Sequence, residues 1–108
     1  MINYTNLGQK VTTSGGIEKV NLQADIFNRS YGASSKTFTI TINLHSGSLD
    51  YTVVKKDQAV STMDTPKYDF DSSNSTSNPP VVPVISICPL TQDLYINSTN
   101  GTELSINV

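Results

Sequence analysis

The chain contains no tryptophan, one cysteine, one histidine and few charged residues. A single cysteine, Cys88, excludes an internal disulfide. Any Ser/His/Asp or Cys/His catalytic arrangement would have to use the one histidine, His45. Charged residues make up 15% of the chain and the net charge is −2, so the basic surface that phosphate backbones require is missing. Nucleic acid is therefore not expected as a partner.

Long hydrophobic runs are also missing. The chain begins Met-Ile-Asn-Tyr-Thr, without the basic and apolar regions of a signal peptide, and no stretch approaches the length of a membrane span. We expect no membrane contact and a protein made in the cytoplasm without a signal peptide. A length of 108 residues predicts one domain with a core of its own.

Ser, Thr and Asn are abundant and make up about a third of the chain, whereas apolar residues make up 36%. This composition predicts a thin core beneath a surface rich in hydroxyl and amide groups. The strongest local pattern lies in residues 27–44. There, apolar residues alternate with Thr and Asn from Thr37 to Leu44, which predicts a half-buried antiparallel strand. Its apolar face would carry Phe38, Ile40, Ile42 and Leu44.

Several shorter segments alternate in the same way. Residues 20–27 are predicted to pair with 37–44 across a polar loop at 28–36, and Asn100-Gly101 is a hairpin signal. Residues 71–80 are a polar loop, and 59–63 form a short strand or an extended link. No segment has an apolar stripe at helical spacing. The remaining predicted strands lie at 49–54, 68–70, 81–87, 94–96 and 104–108.

These patterns predict an all-β fold, a single antiparallel β-sandwich of about seven to eight short strands. An up-and-down or partly open β-barrel is the alternative. Residues 1–16 are interpreted as an N-terminal arm or edge strand, and residues 17–108 as the sandwich domain.

No residue stands out as catalytic or metal-binding. His45 is interpreted as a loop histidine near water, because no nucleophile motif accompanies it, and Cys88 as a buried core residue. Carboxylate and amide oxygens occur close together from Asp64 to Asn74, including Asp69 and Asp71, but their spacing does not match a twelve-residue calcium loop. We therefore predict no catalytic site, no metal and no cofactor.

Exposed aromatic and hydroxyl side chains suggest a contact surface instead. Exposed tyrosines can anchor a protein interface or stack on sugars, and Tyr31 lies in the predicted polar loop. A carbohydrate-binding or adhesin module is therefore kept as an alternative function, although sugar sites usually use tryptophan. The interface candidates are Arg29, Tyr31, Thr37, Thr39 and Thr41.

Two units of the sequence resemble a group of small structural proteins from the virions of tailed bacteriophages. The first is Val20-Asn-Leu-Gln-Ala-Asp-Ile-Phe-Asn-Arg-Ser, followed by the Thr-rich strand from Thr37. The second runs from Pro83-Val-Ile-Ser-Ile-Cys-Pro-Leu-Thr-Gln-Asp-Leu to the C-terminal Leu104-Ser-Ile-Asn-Val. Together they span roughly the last four fifths of the chain, which departs from the group in lacking a Gly before Asp93 and in its long Ser/Asn loop.

The resemblance implies a virion structural protein that is present in many copies and has no catalytic residues. It would act as a capsid decoration, tail, neck or fibre-attachment component. Its implied partners are other virion proteins and copies of itself. Its implied location is the virion.

Overall fold

The structure, a computed structural model, describes residues 2–3, 9–21, 37–66, 68–69, 84–88 and 90–107. This part of the chain contains nine β-strands and no helix, and hence no helix long and apolar enough to cross a membrane. The strands are β1 (Ile2–Asn3), β2 (Val11–Thr12), β3 (Gly16–Asn21), β4 (Phe38–Ser46), β5 (Ser48–Lys55), β6 (Tyr68–Asp69), β7 (Ile85–Ile87), β8 (Gln92–Ser98) and β9 (Glu103–Asn107).

The strands form two sheets that are not closed into a barrel. One has the order β1-β3-β8-β5-β6 and the other the order β2-β9-β4-β7. All neighbouring strands are antiparallel except β1 and β3, which are parallel. The predicted all-β sandwich is confirmed, and the barrel alternative is wrong.

The core lies between the sheets and is almost entirely aliphatic. On β4 the predicted alternation is confirmed, because Ile40, Ile42 and Leu44 are buried and Phe38 packs half-buried against them. Burying each such side chain stabilises the fold by roughly 1.5–3 kcal/mol before the entropy of ordering is subtracted. The other buried apolar side chains of this cluster are Val20, Leu49, Ile85, Ile87, Leu94, Ile96, Leu104 and Ile106.

The predicted pairing of residues 20–27 with 37–44 is wrong where the structure describes it. Val20 lies opposite Leu94 of β8 and Ile2 of β1, whereas β4 belongs to the other sheet. β4 pairs with β7 over Phe38–Ile40 and with β9 from Thr41 onward. Alternation determines which face of a strand is buried but does not determine its partner. Residues 22–36 and 71–80, including Arg29 and Tyr31, lie outside the described residues.

The Asn100-Gly101 turn forms, but it does not join a hairpin. Gly101 has φ +80° and Thr102 N donates to Thr99 O at 3.2 Å, yet β8 and β9 enter different sheets. Gly47, with φ +79°, similarly carries the chain from β4 in one sheet to β5 in the other. Both connections lie at the same end of the sandwich, where they are hydrogen-bonded to each other.

The remaining predictions concern shorter segments. β1 and β2, from the predicted arm, lie at an edge of the five-stranded and the four-stranded sheet respectively. Residues 59–63 form no strand, so they are the extended link rather than the short strand. Within the predicted strand at 68–70 the described residues form β6, and within the one at 81–87 the described residues form a strand only at Ile85–Ile87, which is β7.

Candidate functional site

The outer surface of the four-stranded sheet is polar, and Thr, Ser and Asn side chains make up most of it. On β4 these alternate with the buried aliphatic residues and are exposed or half-buried. Strand register places Thr41 opposite Asn107, Asn43 opposite Ser105, and Thr39 opposite Ser86. We call this surface the hydroxyl face. Its members are Thr39, Thr41, Asn43, His45, Ser86, Glu103, Ser105 and Asn107.

A cross-strand hydrogen bond joins His45 and Ser105 within the hydroxyl face. His45 Nε2 lies 3.1 Å from Ser105 Oγ, and His45 is exposed whereas Ser105 is buried. This distance is within the range at which a histidine acts as general base toward a serine nucleophile. However, Ser105 is buried, so its hydroxyl is shielded from a substrate carbonyl. Sequence reasoning did not find this pair, because the β4–β9 register that joins them spans 60 residues.

An ion pair lies at one corner of the hydroxyl face. Lys10 Nζ contacts Glu103 Oε2 at 2.7 Å. The hydrogen bond and charge of Lys10 lower the pKa of Glu103 below its usual value, with a smaller contribution from His45 and against a small opposing effect of desolvation. The pairing of Lys10 with Glu103 leaves the face close to neutral.

The sequence-predicted interface residues are only partly described. Thr37 precedes β4 and is exposed, Thr39 is exposed, and Thr41 is half-buried. Thr39 and Thr41 lie on the hydroxyl face, next to each other along β4. The structure describes neither Arg29 nor Tyr31, so whether they join the two threonines stays a prediction.

Asp93 forms a second polar cluster, on the outer side of the five-stranded sheet. The residue is 4% exposed and accepts hydrogen bonds from Lys56 Nζ at 2.9 Å and from the N–H of Asp57 at 2.8 Å. Lys19 Nζ lies 3.5 Å away. Burial alone would raise the pKa of Asp93, but these two hydrogen bonds and the two ammonium charges together lower it below its usual value. The arrangement links β3, β8 and the turn after β5.

Cys88 is buried, as predicted, and begins a tight turn. Its carbonyl accepts the N–H groups of Thr91 and Gln92, and its own N–H donates to Gln92 Oε1 at 2.9 Å. The Thr91 hydroxyl hydrogen bond is the largest influence on the thiol and lowers the pKa of Cys88, against the effect of desolvation. No other cysteine is present in the sequence.

A cavity of about 280 Å³ lies beside β5, beneath the extended link. Asp50 and Thr52 line it from the strand, and Thr62 and Asp64 line it from the link. Asn97 Nδ2 donates to Asp64 O at 3.0 Å and so attaches the link to β8. A second cavity of similar size continues along the link between Val54 and residues 58–62.

The predicted oxygen ligands are only partly described. Asp64 lines the cavity beside β5, whereas the side chain of Asp69, together with Asp71 and Asn74, lies outside the described residues. Asp50, which shares the cavity with Asp64, was not considered at the sequence level, because a carboxylate within an alternating strand reads as a solvent-facing residue.

The chain matches no protein-family model, no curated protein and no solved structure. The resemblance to phage virion proteins therefore stays a prediction.

Proposed function

We propose that this protein is a non-enzymatic structural module that assembles through its hydroxyl face, with a second copy of the same chain as the partner. The observation that carries the proposal is the composition of that face. Thr39, Thr41 and Asn43 are its exposed or half-buried members along β4, whereas Ser105 on the neighbouring β9 is buried and hydrogen-bonded to His45.

A face of this kind is complementary to itself. Hydroxyl and amide groups both donate and accept hydrogen bonds, so two identical faces can satisfy each other. Thr side chains also have few rotamers, which limits the entropy lost on contact. The Lys10–Glu103 ion pair leaves little net charge on the face, and the whole chain carries −2, so repulsion between copies is small.

The setting that the sequence resemblance suggests is the virion of a tailed bacteriophage. A module repeated in many copies, with other virion proteins as further partners, is consistent with a face suited to self-association. Carbohydrate binding is the alternative that the sequence suggests through Tyr31, which lies outside the described residues. Among the described tyrosines, the half-buried Tyr51 stacks on Tyr68 at a centroid distance of 6.1 Å.

Analytical ultracentrifugation over a range of concentrations tests the assembly proposal. The wild-type chain should form dimers or larger species, and Thr41→Lys should shift it toward monomer, because an isologous contact brings the two new ammonium groups together. The matched control is Thr65→Lys, which adds the same charge at an exposed position outside both sheets.

Two results would contradict the proposal. A wild-type chain that stays monomeric at every concentration would exclude self-association. Equal weakening by Thr41→Lys and Thr65→Lys would show that added charge, rather than the hydroxyl face, controls assembly. Binding of the wild-type chain to a glycan array, with no self-association, would favour the carbohydrate alternative.

A further inference from the structure

The turn between β8 and β9 contains the only Asn-Gly pair in the sequence. Asn100 and Gly101 are both exposed, and Gly101 has φ +80° whereas the φ of Asn100 is negative. Together with the hydrogen bond from Thr102 N to Thr99 O at 3.2 Å, this is the pattern of a type II turn. An exposed Asn-Gly pair is open to spontaneous deamidation, because glycine has no side chain to hinder attack by its own backbone nitrogen.

Deamidation at this pair needs only water as a reactant. The Gly101 nitrogen loses its proton and attacks Asn100 Cγ, so that a Cγ–N bond forms and the Cγ–Nδ2 bond breaks, and the proton leaves with ammonia. Water then opens the succinimide ring at either of its carbonyl carbons. The product at position 100 is aspartate, or isoaspartate, in which the main chain runs through the side-chain carbons and is one atom longer.

Two backbone hydrogen bonds from the segment between β2 and β3 hold this turn in an unreactive conformation. Gly101 N donates to Thr13 O at 3.1 Å, and Thr13 N donates to Thr102 O at 2.8 Å. In a type II turn the nitrogen of the glycine lies away from the side chain of the residue before it. Attack on Asn100 Cγ therefore requires the peptide between Asn100 and Gly101 to rotate, and that rotation breaks the bond to Thr13 O.

Residues 13–15 also pack directly against the turn. Gly15 has φ +88°, and a Cβ atom built on it would lie 3.0 Å from the N and Cα atoms of Asn100 and 3.2 Å from its Cβ. The Thr13 hydroxyl donates to Thr99 O at 3.2 Å. A turn enclosed in this way has no space for a longer main chain, so isoaspartate at position 100 is incompatible with these contacts.

We propose that Asn100 is a deamidation site that residues 13–15 protect while they are docked, and that conversion to isoaspartate releases β2 from the four-stranded sheet. β2 pairs with β9 over only two residues, so the adjoining hydrogen bonds of Thr13 contribute much of its attachment. Among the described strands, release of β2 makes β9 the edge of that sheet, with unpaired backbone groups that can bind another strand. This inference does not depend on association through the hydroxyl face.

Incubation of the full chain at neutral pH measures the reaction. Peptide mass spectrometry follows the conversion of Asn100, and an isoaspartyl methyltransferase assay identifies isoaspartate. Conversion should be at least about tenfold faster in guanidinium chloride than in the native protein, since the native turn has to break hydrogen bonds before attack. Asn97, which precedes Ser98 within β8, is an internal reference that should convert more slowly than Asn100 in the unfolded chain.

Gly15→Ala should speed the conversion in the native protein several-fold, because its Cβ pushes residues 13–15 away from Asn100. The matched control is Gly16→Ala, which introduces similar left-handed strain at φ +77° but has open space around its Cβ position. Both variants should react like wild type in guanidinium chloride.

A second pair of variants serves if circular dichroism shows that Gly15→Ala does not fold. Thr13→Val removes the hydroxyl that donates to Thr99 O and should also speed the conversion. Its control is Thr12→Val, at an exposed position of β2, which should react like wild type.

Hydrogen exchange of the Thr13 and Gly101 amides tests the release of β2. Both amides should lose protection in the isoaspartate form, separated from the unmodified protein by chromatography. Asn100→Asp adds the same charge without lengthening the main chain, so both amides should stay protected in this variant.

Equal conversion rates in the native and the unfolded wild type would overturn the protection by residues 13–15, as would equal native rates in Gly15→Ala and Gly16→Ala. Full protection of the Thr13 amide in the isoaspartate form would overturn the release of β2. An unfolded chain in which Asn100 is not converted would exclude the site itself.

Discussion

Gly47 lies directly against Thr102, where the two connections between the sheets meet. A Cβ atom built on Gly47 would lie 2.3 Å from Thr102 Oγ1 and 2.9 Å from its Cα. Gly47 also has φ +79°, a conformation that residues with a side chain rarely adopt. The position therefore requires glycine for two independent reasons.

Gly47→Ala should destabilise the fold by more than about 2 kcal/mol, because left-handed strain of about 1–2 kcal/mol adds to a clash with buried backbone. Gly16→Ala is the matched control, since Gly16 has φ +77° and open space around its Cβ position. Denaturant unfolding of both variants separates the two effects. If Gly47→Ala and Gly16→Ala lower the free energy of unfolding equally, the close contact with Thr102 does not contribute to the destabilisation.

Thr102→Val should lower the free energy of unfolding by about 1–3 kcal/mol, because it removes a buried hydroxyl without changing the shape of the side chain. Thr102 is fully buried, and its Oγ1 donates to Thr99 O at 2.7 Å and accepts the N–H of Ser48 at 3.3 Å. Thr65→Val, at an exposed position, should change stability by less than about 0.5 kcal/mol. If Thr102→Val leaves the free energy of unfolding unchanged, apolar packing of the valine fully compensates for the lost hydrogen bonds.

The Asp93 cluster predicts a specific dependence of stability on pH. Since the folded pKa of Asp93 is below its unfolded value of about 3.9, the stabilisation is fully present above pH 5. It is lost as the pH falls below about 4 and through the folded pKa, because the unfolded carboxylate takes up its proton first.

Lys56→Met should therefore cost about 1–3 kcal/mol at pH 7 and progressively less as the pH falls toward 2, because protonation of Asp93 removes the charge that Lys56 compensates. The comparison variant Lys10→Met, which breaks a more exposed ion pair with Glu103, should cost less stability than Lys56→Met at pH 7, because solvent screens that pair. Urea unfolding at pH 7 and at pH 2 measures the stability loss of each variant. A loss for Lys56→Met that is the same at pH 7 and pH 2 would assign its effect to packing rather than charge.

Thr91→Val should raise the pKa of the Cys88 thiol, because it removes the hydrogen bond that contributes most to lowering it. The pH dependence of the reaction with iodoacetamide measures this change in the native protein. Gln92→Glu keeps a side-chain oxygen acceptor for the Cys88 N–H and tests whether the turn itself is responsible. An unchanged pH profile in Thr91→Val would show that the hydroxyl does not control the thiol.

The sequence predicts the faces of the strands well. Ile40, Ile42 and Leu44 are buried as their alternation requires, and the all-β sandwich follows from several such segments. Strand partners were harder to predict, because pairing depends on contacts between distant residues. Asn100-Gly101 specifies a turn, for example, but whether the turn joins one sheet or two depends on Ser48 and Thr102 meeting from 54 residues apart.

For the candidate site residues, too, local alternation was predictable from the sequence, whereas contacts between distant residues were not. Thr39 and Thr41 were predicted to be outward-facing from alternation alone, and both lie on the hydroxyl face. Asp50 could not be selected, because the cavity that it lines is formed together with residues 62–64 of the link, and no local pattern places that segment beside β5. The same applies to His45 and Ser105, which the β4–β9 register brings together.

The junction of Thr13 with the last turn determines when the protein can fold during synthesis. Thr13 N donates to Thr102 O at 2.8 Å, and Gly101 N donates to Thr13 O at 3.1 Å. β3 and β5 both pair with β8, and β2 pairs with β9. A ribosome-bound chain therefore cannot complete the five-stranded sheet before residue 98 has left the exit tunnel, or the four-stranded sheet before residue 107 has, so we expect folding that depends on distant contacts and is slow.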